Sequence, residues 1–123
     1  MKPLNAVVVQ HNDGKAVECL VKSLHTHFRS VHTAHDVSEL RDMIANDHAD
    51  VAIVDLELVN LIQLRELIRD HADATIICTH RLADEYLWTQ ALAAGAADCC
   101  YNSDIRAIVL AAARHSMSAP HAA

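Results

Sequence analysis

Strand-like and helix-like patterns of apolar residues alternate from one end of the chain to the other. Ala6-Val7-Val8-Val9 is a β-branched run, stopped by the polar, helix-capping loop Gln10-His11-Asn12-Asp13-Gly14. Val17, Leu20, Val21, Leu24 and Phe28 then recur at helical spacing and form one apolar stripe. Ser30 to Ala34 alternates instead of running apolar, which predicts a weak strand at a sheet edge or with one face in solvent. Asp36 with Glu39 predicts a capping box, opening a helix whose inward face is Val37, Leu40, Met43 and Ile44. Val51-Ala52-Ile53-Val54 is a continuous apolar run closed by one carboxylate, Asp55. It reads as a buried parallel strand that presents an acid at its C-terminal edge, where ligands bind in open α/β sheets.

The alternation continues beyond Asp55. A helix is expected around Leu58 to Asp70, with Leu61, Leu64 and Ile68 on one side, and a strand over Ala74 to Thr79. Ala83 to Ala94 reads as a helix ended by Gly95, a natural C-cap. Ala97 to Tyr101 is the fifth strand. Ser103 is expected to cap a last helix with Ile105, Ile108, Val109 and Ala112 facing inward, before a patternless tail from Ser116 to Ala123. Five strands alternating with five helices predict an α/β fold, a flavodoxin-like three-layer sandwich with a parallel sheet in the order 2-1-3-4-5. One domain, residues 1–116, is expected, with a short unstructured tail at 117–123.

Composition narrows the function classes. At 123 residues and 52% apolar, the chain is long enough for one real core, and one Trp, one Phe and two Tyr make that core aliphatic. A net charge of −6 without a basic patch argues against direct nucleic-acid binding. No apolar run approaches the roughly 20 residues needed to span a bilayer, and Met1-Lys2-Pro3-Leu4 does not open a secretion signal, so the cytoplasm is the expected location. Cys19 and Cys78 sit singly in apolar segments, and the neighbours Cys99 and Cys100 would point to opposite faces of a strand. Reduced thiols are therefore expected.

In this order and at these spacings the residues resemble the receiver domain of bacterial response regulators (CheY-like), over nearly the whole chain. Asp84 to Asp98, with Ala91-Leu92-Ala93-Ala94-Gly95-Ala96, looks like the fourth helix and fifth strand of receivers from NarL/FixJ-type transcriptional regulators. Asp50-Val51-Ala52-Ile53-Val54-Asp55-Leu56 looks like the strand ending in the phosphoacceptor aspartate, and Thr79 stands where the family places a phosphate-sensing hydroxyl. The resemblance makes Asp55 the candidate phosphoacceptor. It also marks departures. Gln10 and His11 occupy the positions of two metal-holding acids, Asn102-Ser103 those of Lys-Pro, and Cys99 that of the aromatic switch. The loop Glu57-Leu58-Val59-Asn60-Leu61 lacks the usual Pro and Gly.

These departures are coupled. Clustered carboxylates recruit Mg²⁺, which orients the phosphoryl group, and the lysine pairs with the product's oxygens. Without them the resemblance implies an atypical receiver, not an enzyme, in two-component or phosphorelay signalling. It would act mainly by protein–protein interaction, with impaired Mg²⁺-dependent phosphorylation. No cofactor is expected and Mg²⁺ binding is in doubt, although Asp13 and Glu57 are near enough in sequence to substitute in part. The alternative is a working receiver phosphorylated on Asp55 by a histidine kinase. A flavin-type ligand is the third reading, and with Gly14 and Gly95 the only glycines no phosphate-cradling loop supports it.

Other residues carry paired readings. His11 and His80 are expected on loops around Asp55, as a pH-responsive cluster, as metal ligands with Asp55, or as two surface histidines among ten. His25 and His27 are two apart on a helix and do not share a face, so with His32 and His35 they read as solvated. Tyr86, Trp88 and Tyr101 concentrate the aromatic content on the helix 4–strand 5–helix 5 face. Receivers of this type use that face to form homodimers or to bind partners such as a sensor kinase or regulatory protein. The alternative is that Tyr86 or Trp88 packs against the last helix.

Overall fold

Val51–Asp55 is apolar up to its final residue because both faces of that strand are covered. The computed structural model describes residues 4–10, 14–47, 49–80, 85–101 and 104–117. In chain order the elements are β1 (Leu4–Gln10), α1 (Gly14–Leu24), β2 (Phe28–Ala34), α2 (Val37–Asp47), β3 (Val51–Asp55), α3 (Leu61–Asp70), β4 (Thr75–His80), α4 (Glu85–Ala94), β5 (Asp98–Tyr101) and α5 (Ile105–Met117). All strand pairs are parallel, in the order β2-β1-β3-β4-β5. This is the expected flavodoxin-like topology. From β1 the chain moves outward to β2 and then returns past β1 to β3. The order therefore reverses between β1 and β3, where α/β sheets open a crevice at their C-terminal edge.

Alternation along the strands divides the core in two. On one face Ala52, Val54, Ile76 and Cys78 meet Leu40 and Ile44 of α2, Leu64 and Leu67 of α3 and Ala91 of α4. On the other, Val9, Val51, Ile53 and Ile77 meet Leu20 and Leu24 of α1 and Ile108, Val109 and Ala112 of α5. No helix among the described residues is long and apolar enough to cross a membrane.

Local chemistry moves several boundaries. The stripe through Phe28 does not continue as a helix. His25, Thr26 and His27 are exposed and turn the chain, with the Thr26 hydroxyl donating to the Ser23 carbonyl at 2.8 Å, and Phe28 opens β2 opposite Leu4. Phe28 still reaches the core shared by Leu20 and Leu24, but from a strand. The edge position of β2, paired only with β1, agrees with its alternating sequence.

α3 starts at Leu61 and not at Leu58, because Asn60 and Gln63 form a reciprocal capping box. Asp36 accepts the Glu39 N–H at 2.8 Å as expected, but the Glu39 carboxylate reaches back one residue further, to the N–H of His35 at 2.7 Å. Ser103 lies outside the described residues. The cap of α5 is Asp104, whose carboxylate accepts the Ala107 N–H at 3.1 Å. α5 then runs on past Arg114 to Met117.

Gly95 ends α4 as expected. Its φ is 117°, its N–H donates to the Leu92 carbonyl, and the Ala96 N–H donates to the Ala91 carbonyl, a Schellman pair. A Cβ here would lie 3.0 Å from Ile68 Cγ2. Gly95→Ala is expected to lower stability by about 1–3 kcal/mol in urea unfolding, through the positive φ and the forced shift of Ile68. Adding Ile68→Ala should relieve only the steric part. A neutral Gly95→Ala would contradict the geometry.

Candidate functional site

Asp55 is the last residue of β3 and so lies at the C-terminal edge of the sheet, the edge at which open α/β sheets bind ligands. Asp55 pairs in register with Thr79, and both are buried. Alternation sends both side chains toward the α1/α5 side, with Ile53 and Ile77 below them. Asp55 Oδ1 accepts the Glu57 N–H at 2.8 Å, and the Leu58 N–H donates to the Asp55 carbonyl at 2.9 Å. The Leu56 N–H donates to the Thr79 carbonyl at 2.8 Å, so the chain beyond β3 stays tied to β4. A carboxylate held this way is a preoriented oxygen nucleophile or acceptor with a hydroxyl-bearing neighbour.

The remaining pocket positions are placed unevenly. Gln10 ends β1, one step past Val9, which pairs with Ile53. His11, Asp13, Asn102 and Ser103 lie outside the described residues. His80 is not on a loop: it is the buried last residue of β4, in register with Tyr101. Alternation directs it to the face of Ile76 and Cys78, opposite to that of Asp55 and Thr79. His80 is therefore a strand residue and not the loop residue that was expected, and His11 lies outside the described residues. His25, His27 and His35 are exposed, and His35 Nδ1 lies 3.3 Å from Glu39.

Among the described residues no three His, Cys, Asp or Glu side chains gather as a metal would require. Among the described residues Asp55 and Glu57 are the carboxylates at the end of β3, and Glu57 is exposed.

The β4–β5 side holds a feature that local patterns did not reveal. Cys99 lies directly across from Cys78. Its thiol also approaches the Trp88 carbonyl at 3.9 Å, and its N–H donates to Asp98 at 2.9 Å. Only the register of strands far apart in sequence brings the two cysteines together. Cys19, in contrast, is exposed on α1 and takes no part in the core.

The aromatic residues divide between packing and surface. Trp88 packs edge-on against Tyr101, with ring centroids 5.5 Å apart, and joins the α2/α3/α4 core. Its Nε1 is buried with no acceptor among the described residues. Tyr86 is 74% exposed, and Tyr101 and Leu110 are also open to solvent. A groove of about 380 Å³ runs beside them, lined by Trp88, Cys99, Tyr101, Asp104 and Leu110, and bridged at its rim by Arg114 and Asp98 at 3.1 Å.

No protein-family model and no curated protein matches the chain. Solved structures do. A signal receiver domain of a two-component response regulator from Bacteroides fragilis is 18% identical with TM-score 0.81, over 92% of this chain and 97% of that one. The receiver domain of the putative response regulator NarL from Mycobacterium tuberculosis is 19% identical with TM-score 0.80, over 98% and 100%. A Burkholderia pseudomallei response regulator, described with a phosphorylated aspartic acid, calcium ion and citrate, is 22% identical with TM-score 0.74, over 94% and 69%. At these identities the likeness is one of architecture, and the chain has the flavodoxin-like fold of response-regulator receiver domains.

Proposed function

We propose that this chain is an atypical receiver module of two-component or phosphorelay signalling. It works mainly through protein–protein contacts, and Mg²⁺-dependent phosphorylation of Asp55 is impaired. The carrying observation is the contrast at one sheet edge. Asp55 is buried beside Thr79 and accepts the Glu57 N–H, while the sequence reads Gln10-His11 and Asn102-Ser103 at the positions that, by the resemblance, carry a receiver's acids and lysine. The module is not an enzyme. It resides in the cytoplasm and meets a sensor kinase or regulatory protein, or a second copy of itself, through the α4–β5–α5 face.

A second reading keeps Asp55 as a working phosphoacceptor for a histidine kinase. The in-register Asp55–Thr79 pair favours it, since that is the pairing of acid and hydroxyl that sensing a phosphoryl group requires. Incubation with acetyl phosphate and Mg²⁺, read by intact mass, decides between the two. Little or no adduct supports the first reading. A stoichiometric adduct that Asp55→Asn removes establishes the second.

The partner face has its own test. Tyr86 is exposed and touches little of the core, so Tyr86→Ala should leave stability within about 0.5 kcal/mol while weakening self-association or kinase binding. Trp88→Ala removes packing as well and confounds the two effects. Unchanged association in Tyr86→Ala, measured by sedimentation and by partner titration, counts against this face.

A further inference from the structure

We propose that Cys78 and Cys99 form a reversible dithiol–disulfide site between β4 and β5, oxidised by hydroperoxides that reach Cys99 through the adjoining groove. The two residues are in-register neighbours on adjacent parallel strands and belong to the same side of the core. Adjacent strands lie about 4.7–4.9 Å apart, inside the roughly 4.4–6.8 Å of Cα separation that a disulfide tolerates. Cys100 is excluded as the partner, because it turns to the opposite face and packs with the α1/α5 core.

The two thiols play different parts. Cys78 is fully buried, whereas Cys99 is half-buried and lines the groove of about 380 Å³ beside Tyr101 and Asp104. The Cys78 S–H beside it lowers the Cys99 thiol below its ordinary value, against the opposing effects of burial and Asp98. The same contact, together with burial, pushes Cys78 well up. Burial holds Cys100 at about 11. Cys99 is thus the nucleophile and Cys78 the resolving thiol.

In the first step the Cys99 sulfur attacks one peroxide oxygen. An S–O bond forms, the O–O bond breaks, and the departing oxygen leaves as water or an alcohol after taking a proton. Cys99 is oxidised to a sulfenic acid and the peroxide is reduced. In the second step the Cys78 sulfur attacks the Cys99 sulfur. The S–S bond forms, the S–O bond breaks, and hydroxide leaves with the Cys78 proton as water. Closing the bridge draws the Cβ atoms from strand spacing toward about 3.8 Å, and the stored strain makes the bond easy for a small dithiol to reduce.

The test uses the full chain, reduced, freed of reductant and treated with hydrogen peroxide. Free thiols should fall from four to two. Tryptic peptide 70–81 should appear linked to peptide 82–106, and dithiothreitol should restore both. Cys100→Ala should keep the link. Cys99→Ser should lose it. Cys78→Ser should leave a Cys99 sulfenic acid that a 1,3-diketone captures, with circular dichroism confirming the fold of each variant. Four surviving thiols would overturn the proposal. So would a bridge confined to peptide 82–106, over-oxidation of Cys99 without a link, or only Cys19-linked dimers.

Discussion

Leu64→Ala is expected to lower the unfolding free energy by about 3 kcal/mol and the thermal midpoint by about 10 °C. Leu64 is fully buried on α3, inside the cluster that joins α2, α3 and α4 to β3 and β4. Removing its isobutyl group forfeits transfer energy and leaves a cavity that its neighbours cannot fill, since they are held by both a helix and a sheet. A domain of this size has roughly 5–15 kcal/mol of stability in all, so the loss is a large fraction of it. Ile62, two positions earlier on the same helix, is 65% exposed, and Ile62→Ala should change stability by less than about 0.5 kcal/mol. Chemical denaturation of both variants checks the pair. Equal effects would mean that α3 presents a different face to the sheet.

The same helix shows where local pattern carries information and where it stops. Leu61, Leu64 and Ile68 were legible as one face, because helical spacing and burial have the same period. Leu67 lies outside that trio, although it is as deeply buried as Leu64. The start of α3 was visible in principle as Asn60 with Gln63, but the apolar Leu58 drew the boundary outward. β3 was readable end to end, because burial on both faces admits few polar residues, and its single exception is Asp55. Phe28 misled for the opposite reason. Four residues after Leu24 it fits a helical stripe, and only the turn through His25 and His27 assigns it to a strand. His80 and the Cys78–Cys99 pair depend on strand length and cross-strand register, which no window along the chain contains. The acid at the sheet edge was legible; the company it keeps across strands was not.

Placing aspartates at Gln10 and His11 and a lysine at Asn102 should raise the rate of Asp55 labelling by acetyl phosphate about 10²-fold or more, and should make that rate depend on Mg²⁺. By the resemblance the three positions are those at which the chain departs from the receiver pattern, and Asp55 already pairs in register with Thr79 at the end of β3. If positions 10 and 11 lie beside Asp55 as the receiver resemblance implies, two added carboxylates would repel it and one another until a divalent cation neutralised them. Without Mg²⁺ the variant should therefore be less stable than the parent, and with Mg²⁺ it should recover. The two aspartates with Asp55 would hold the cation, which would supply charge neutralisation, and the lysine would pair with the charge that remains on the product. The acidic pair alone, or the lysine alone, should deliver little, and the combined gain should exceed the product of the two, since groups that act as a unit on one transition state are strongly non-additive. Asp55→Asn in the restored background must abolish labelling. Rapid, Mg²⁺-dependent labelling of the unmodified chain, with no further gain in the variant, would hand the functional reading to the working phosphoacceptor. The substitutions at positions 10, 11 and 102 would then be tolerated variation around an intact site.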